Sequence, residues 1–273
     1  MESVKSAAKN WKMNLDLKNK RALVCGSTQG IGKAAAIELA LLGASVTLVA
    51  RDEKKLKAAA AELDSSKGQK HTYIVADFTK PDELKKKVEE YTKKNTVHIL
   101  LNNTGGPPGG PILEAKPEEF TQAFSNHLLC NHILVQAVAA GMKKEKYGRI
   151  INIISTSVKQ PIKGLGVSNT IRAAVANWSK TLAGELGPFG ITVNNILPGA
   201  TTTERLNTLL NARAKKAGIS AKEESQEWLK EIPLGRFADA SEIASAVAFL
   251  SSPAASYING INLPVDGGRT GCL

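Results

Sequence analysis

Short apolar runs alternate with longer amphipathic stretches along the chain. Residues 21–25, 45–50, 72–76, 97–101, 149–154, 191–196 and 261–265 are runs of five or six, rich in Val, Ile, Leu and Ala. Their length and near-continuous apolar character predict strands buried on both faces. Helical spacing fills the intervals at 31–42, 53–63, 81–94, about 117–144 and about 165–186, with a last helix opening near Ser241. Pro81 stands where a first helical turn tolerates proline. This alternation predicts an α/β fold, a doubly wound seven-stranded parallel sheet with helices on both faces. No linker or repeat divides it, so 13–273 reads as a single domain. Two segments stand apart. Residues 1–12 form a polar extension with Val4, Ala8 and Trp11 at helical spacing. Residues 204–232 form a helical excursion rich in lysine and glutamate. The longest apolar stretch, 34–50, is interrupted by Glu38 and Gly43, so it reads as a helix running into a strand, not a membrane span.

Composition narrows the class. The 273 residues are 42% hydrophobic and 22% charged, which is globular and not disordered. A chain of this length buries roughly 75% of its unfolded surface and folds without disulfides or metals. Cys25, Cys130 and Cys272 are odd in number, far apart and without zinc spacing. They point to a reduced, cytoplasmic protein with no metal site. Residues 1–12 lack the apolar core of a signal peptide. Thirty-six Lys and Arg against 25 Asp and Glu leave a net charge of +11. The lysines are spread over stretches that read as solvated helix faces, and no nucleic-acid signature accompanies them, so neither a nucleic acid nor a membrane is expected as partner. What remains for the charge is attraction of anionic ligands, such as phosphorylated cofactors or acidic carriers.

The first strand runs into Gly26-Ser27-Thr28-Gln29-Gly30-Ile31-Gly32. Glycines let the backbone turn sharply into a helix and approach a pyrophosphate, and the helix N-terminus supplies amides and partial positive charge. This G-x-x-x-G-x-G spacing resembles the short-chain dehydrogenase/reductase family, and the resemblance extends over nearly the whole chain. Asn102-Asn103-Thr104-Gly105 is similar to that family's N-N-A-G after the fourth strand. Pro198-Gly199-Ala200-Thr201-Thr202-Thr203 matches P-G-x-x-x-T, and Pro264-Val265-Asp266-Gly267-Gly268 is similar to its closing signature. The 3-oxoacyl-acyl-carrier-protein reductase-like members are nearest in character. The resemblance implies a Rossmann-type fold and a nicotinamide cofactor. Asp77, with Phe78 beside it, would meet adenine, Thr203 the nicotinamide carboxamide, and Asn103, Thr104, Gly105, Pro198 and Gly199 the same half of the cofactor. It further implies a homodimer or homotetramer joined through the helix at about 168–186, and a substrate lid at 204–232. In that lid Leu206, Leu209, Leu210, Trp228 and Leu229 either line an apolar pocket or pack together. NAD-dependent members place an aspartate at the end of the second strand, where this chain has Ala50-Arg51. Arg51 can pair with a 2′-phosphate, so NADP(H) is favoured over NAD(H), with Lys33 a weaker candidate for that phosphate.

The pattern breaks at the catalytic centre. Ser155 follows the fifth strand at the place of the family's serine. Its tyrosine and lysine, Y-x-x-x-K, fall on Ser168-Asn169-Thr170-Ile171-Arg172, with Ala173-Ala174-Val175 holding the register. Tyr73, Tyr91, Tyr147 and Tyr257 offer no substitute, since none has lysine four residues on. A phenol begins near a pKa of about 10 and can be tuned by a nearby cation, whereas a serine hydroxyl begins far higher. Arg172 keeps a positive charge beside the ribose, but it is permanently protonated and relays nothing. Two rescues suggest themselves: His127 or His132 in the helix before the fifth strand, near Asn126, or a water held by Ser155 and Ser168. The sequence therefore predicts an NADP(H)-dependent oxidoreductase acting on a small or carrier-bound carbonyl or alcohol, with Ser155, Ser168 and Arg172 at its centre. The alternative is a cofactor-binding protein of regulatory or assembly role.

Overall fold

The structure, a computed structural model, describes residues 12–272, so the helical spacing of Val4, Ala8 and Trp11 lies outside the described residues. Seven strands form one parallel sheet in the order β3-β2-β1-β4-β5-β6-β7: β1 Arg21–Cys25, β2 Ser45–Ala50, β3 Thr72–Val75, β4 Ile99–Asn102, β5 Gly148–Ile153, β6 Ile191–Pro198 and β7 Asn262–Val265. The helices are α1 Gly30–Leu41, α2 Glu53–Ala61, α3 Pro81–Thr92, α4 Pro117–Phe124, α5 Cys130–Glu145, α6 Gly166–Leu186, α7 Glu204–Ala217, α8 Ala221–Lys230 and α9 Ala240–Ser251. None is long and apolar enough to cross a membrane.

The sheet is apolar on both faces because both are covered. On one side Val24, Leu48, Leu101 and Ile196 pack against Leu39 of α1 and Val247 of α9. On the other, Leu23, Leu100, Ile150 and Val193 pack against Val88 of α3, Leu134 of α5 and Leu186 of α6. The outer strands β3 and β7 have four residues each, and β7 carries Pro264 opposite Leu197.

The continuous helix expected at about 117–144 is interrupted. Ser125–Leu129 form a π turn between α4 and α5. The wider turn accommodates an extra residue and turns Asn126 toward the cleft described below, a use to which such bulges are often put. The excursion at 204–232 resolves into α7 and α8. A chain of asparagines crosses strands β4 to β7. Asn102 Nδ2 donates to Asn152 Oδ1 (2.8 Å), Asn152 Nδ2 to Asn195 Oδ1 (2.9 Å), and Asn195 Nδ2 to Asn262 Oδ1 (2.8 Å). Asn152 also donates to Ser179 Oγ at 2.9 Å, which ties the row to α6.

Candidate active site

At the C-terminal edge of the sheet the order of connection reverses between β1 and β4, the usual place for a ligand in such a sheet. A cleft of about 850 Å³ opens there. Its floor is the glycine loop. Gly26 has φ +60°, and a Cβ on it would come within 2.8 Å of the Asn103 carbonyl oxygen. Gly32 packs α1 against the loop so closely that a Cβ would lie 2.2 Å from the Gly26 carbonyl oxygen. Asn103 Nδ2 donates to the Cys25 and Gly26 carbonyls, both at 3.3 Å, and so joins the ends of β1 and β4. The first turn of α1 has no acidic residue and no side-chain cap, so its amides are free for an anion.

Most of the expected cofactor residues line this cleft: Gly26, Thr28, Gln29, Gly30, Ile31, Arg51, Asp77, Phe78, Asn103, Thr104, Gly105, Pro198, Gly199 and Thr203. Ser27 and Gly32 do not. Ser27 is fully buried and its hydroxyl donates to the Val49 carbonyl at 3.4 Å, so it braces the loop from beneath. Arg51 is exposed at the end of β2, and Lys55, one turn along α2, lines the same wall. Sequence reasoning passed over Lys55 as one of several surface lysines. Asp52 also borders the cleft, but its carboxylate caps α2, accepting the Lys55 amide at 3.0 Å. Lys33 is engaged elsewhere, with Glu62 at 2.7 Å. The Asp77 carboxyl is held below its ordinary range by the Thr79 amide first and by Arg51 and Lys80 nearby. A glycine cradle, unclaimed helix amides and two cations beside them fit a phosphorylated dinucleotide.

At the other end stand Ser155, Ser168 and Arg172. Ser155 Oγ accepts the Ser157 amide at 3.1 Å, which leaves its own O–H to donate into the cleft. Ser168 and Arg172 are one turn apart on α6 and share a face. Arg172 is 9% exposed, and its Nη1 donates to the Ile153 carbonyl at 2.7 Å. Burial first, then Arg205, draws its pKa down to about 10, so it stays charged at neutral pH. Arg205, in the first turn of α7, is half-buried and donates to the Pro107 carbonyl at 2.6 Å. Nothing in the sequence singles it out beyond its place two residues after Thr203.

Neither histidine serves as the expected proton donor. His127 is buried beside the recess formed by Asn103, Thr104 and Arg172. Burial, and then the Arg172 charge, push its pKa down to about 2, so at neutral pH it has no imidazolium proton to give. His132 Nδ1 accepts from Trp178 Nε1 at 3.4 Å, and the ring does not line the cleft. Asn126, whose register the sequence left open, does line it. In the lid, lining and packing turn out to be compatible. Leu206, Leu210 and Trp228 form a buried cluster with Leu209 against it, and Leu206, Leu209 and Trp228 also wall the cleft. Gln29 Nε2 donates to Glu204 Oε2 at 2.8 Å, joining the glycine loop to the lid.

Comparison with known proteins agrees with this geometry. The family described as Enoyl-(Acyl carrier protein) reductase matches residues 26–270. The 3-oxoacyl-acyl-carrier-protein reductase of Haemophilus influenzae is 36% identical over 253 residues, covering 92% of this chain and 98% of its own. A cyclohexanol dehydrogenase from Rhodococcus is 32% identical, covering 94% and 98%. Among solved structures, L-sorbose reductase from Gluconobacter frateurii, complexed with NADPH and L-sorbose, superposes with a TM-score of 0.88 at 31% identity, covering 96% of this chain and 100% of its own.

Proposed function

Since the chain belongs to the short-chain dehydrogenase/reductase family, its members similar to 3-oxoacyl-acyl-carrier-protein reductases, we propose that it is an NADP(H)-dependent oxidoreductase interconverting a carbonyl and an alcohol. The observation that carries this reading is the cation-walled dinucleotide cleft, with Arg51 and Lys55 at one end and the Ser155 hydroxyl at the other. The loop amides of Gly26 and Thr28 to Ile31 would hold the diphosphate, and Arg51 with Lys55 the 2′-phosphate. Asp77 and Phe78 would border adenine. Asn103, Thr104, Gly105, Pro198, Gly199 and Thr203 would hold the nicotinamide half, and Arg172 its ribose. When bound, NADPH supplies a hydride.

The chain's own residues do the rest. Ser155 donates a hydrogen bond to the carbonyl oxygen and polarises it. The Arg172 charge favours negative charge developing on that oxygen. With serine at 168, the completing proton arrives through water held between the Ser155 and Ser168 hydroxyls. The substrate is a small carbonyl compound or a carrier-bound acyl group, and the enzyme works as a homodimer or homotetramer. The second reading, cofactor binding without turnover, has a specific observation behind it: no phenol stands at position 168.

Titration with NADPH and NADH, followed by quenching of Trp228 in the cleft wall, tests the proposal. NADPH should bind more tightly, and Arg51→Ala should cut that preference by about 10- to 100-fold, the worth of a charge-assisted contact. A carbonyl panel including 3-oxoacyl thioesters then separates the two readings. Turnover by the native chain supports the enzyme. Binding without turnover, with activity gained in Ser168→Tyr/Arg172→Lys, supports the second. Failure to bind either nucleotide overturns both.

A further inference from the structure

The catalytic end of the cleft holds more positive charge than carbonyl reduction by itself uses. Arg172 and Arg205 come from different helices and converge on Gly106. A Cβ at Gly106 would lie 3.6 Å from Arg172 Nη2 and 3.3 Å from Arg205 Nη2, so the two nitrogens are no farther apart than those distances together. Both side chains line the cleft. Arg172 Nε is buried without a hydrogen-bond partner. Among the described residues neither arginine forms a salt bridge. The third basic neighbour, His127, is neutral. Of the carboxylates bordering the cleft, Glu204 accepts from Gln29, while Asp52 and Asp77 stand by Arg51 at the far end.

Two like charges, one buried and one half-buried, close together and without a counter-ion, repel each other, and the Ile153 and Pro107 carbonyls they donate to replace only part of the hydration they lose. The arrangement is accounted for if the missing anion is a ligand. Cofactor phosphates have their own donors in the glycine loop and at Arg51 and Lys55, and the nicotinamide ribose beside Arg172 carries no charge to balance it. A neutral ketone or thioester offers two guanidinium groups only uncharged carbonyl oxygens, whereas a carboxylate presents two oxygens to their planar forks and balances their charge. We propose that the physiological substrate is an oxo acid whose carboxylate is held by Arg172 and Arg205 while its carbonyl meets Ser155. This rests on the reading of the cleft as a carbonyl-reducing site.

The test uses straight-chain oxo acids from pyruvate to 6-oxoheptanoate, each beside its methyl ester. Binding to the NADP+-loaded protein is measured by calorimetry, and reduction by NADPH oxidation. For at least one chain length the acid should bind about 10- to 100-fold more tightly than its ester, the range for hydrogen bonds to charged groups. Arg205→Gln should abolish that preference and Arg205→Lys keep part of it, with unchanged NADPH affinity showing that both variants fold. Esters bound or reduced as well as acids throughout, no binding of any acid, or a preference that survives in Arg205→Gln would each overturn the inference. If neutral ketones are reduced without such a preference, carbonyl reduction stands and the oxo-acid assignment falls. If acids bind through Arg205 and none is reduced, the assignment of the anion site stands and the reductase reading falls.

Discussion

His127 is 3% exposed, and its pKa falls from an ordinary 6.5 to about 2. His98 is pushed to about 4 by burial first and Lys20 second, and its Nδ1 accepts the Arg21 amide at 3.0 Å, which only a neutral ring can do. In both cases the folded state binds fewer protons than the unfolded chain between the two pKa values, so stability rises with pH there and is lost as pH falls below 6.5. Each site should contribute about 1.5 kcal/mol of destabilisation between pH 6.5 and pH 5. Urea unfolding at both pH values checks this. The native chain should lose about 1.5 kcal/mol more than His127→Gln over that interval. Equal losses would mean that the buried ring titrates normally.

Strands β4 to β7 are held in register by more than backbone bonds. Asn152 is fully buried and satisfies Asn102, Asn195 and Ser179 at once, whereas Asn262 is an exposed end of the row. Asn152→Ala strands three buried partners and should cost on the order of 3 kcal/mol, while Asn262→Ala should cost about 1 kcal/mol or less. Thermal or urea unfolding of the two variants measures the difference, and equal effects would show that the row does not act as a unit. The strands themselves were legible, because apolar runs and turn residues are local signals. So was the glycine loop, whose spacing reflects a steric need at Gly26 and Gly32. The row of asparagines was not legible, since its members lie far apart in the chain and meet only once the sheet forms. The π turn at 125–129 was hidden because its residues still read as helix. Arg205 was hidden because one arginine in a charged helix looks like solvent-facing charge until Arg172 is placed beside it.

For the whole molecule, apolar side chains are left open along 112–129: Leu113 is 97% exposed, and Ile112, Phe124 and Leu129 are exposed as well. If the proposed homo-oligomer forms, these side chains are candidates for its covered surface in addition to the helix at about 168–186. Light scattering should give two or four times the 29.0 kDa chain mass, and Phe124→Glu with Leu129→Glu should shift it toward one. An unshifted mass would place the interface elsewhere. The sheet is a poor route for such association. Both outer strands are four residues long, and the Pro264 ring removes a main-chain donor from β7. An incoming strand would find a short and incomplete template at either side. Growth by strand addition, the usual start of fibre formation, is therefore disfavoured at both edges, at β3 by its shortness alone and at β7 by the same closing segment that completes the sheet.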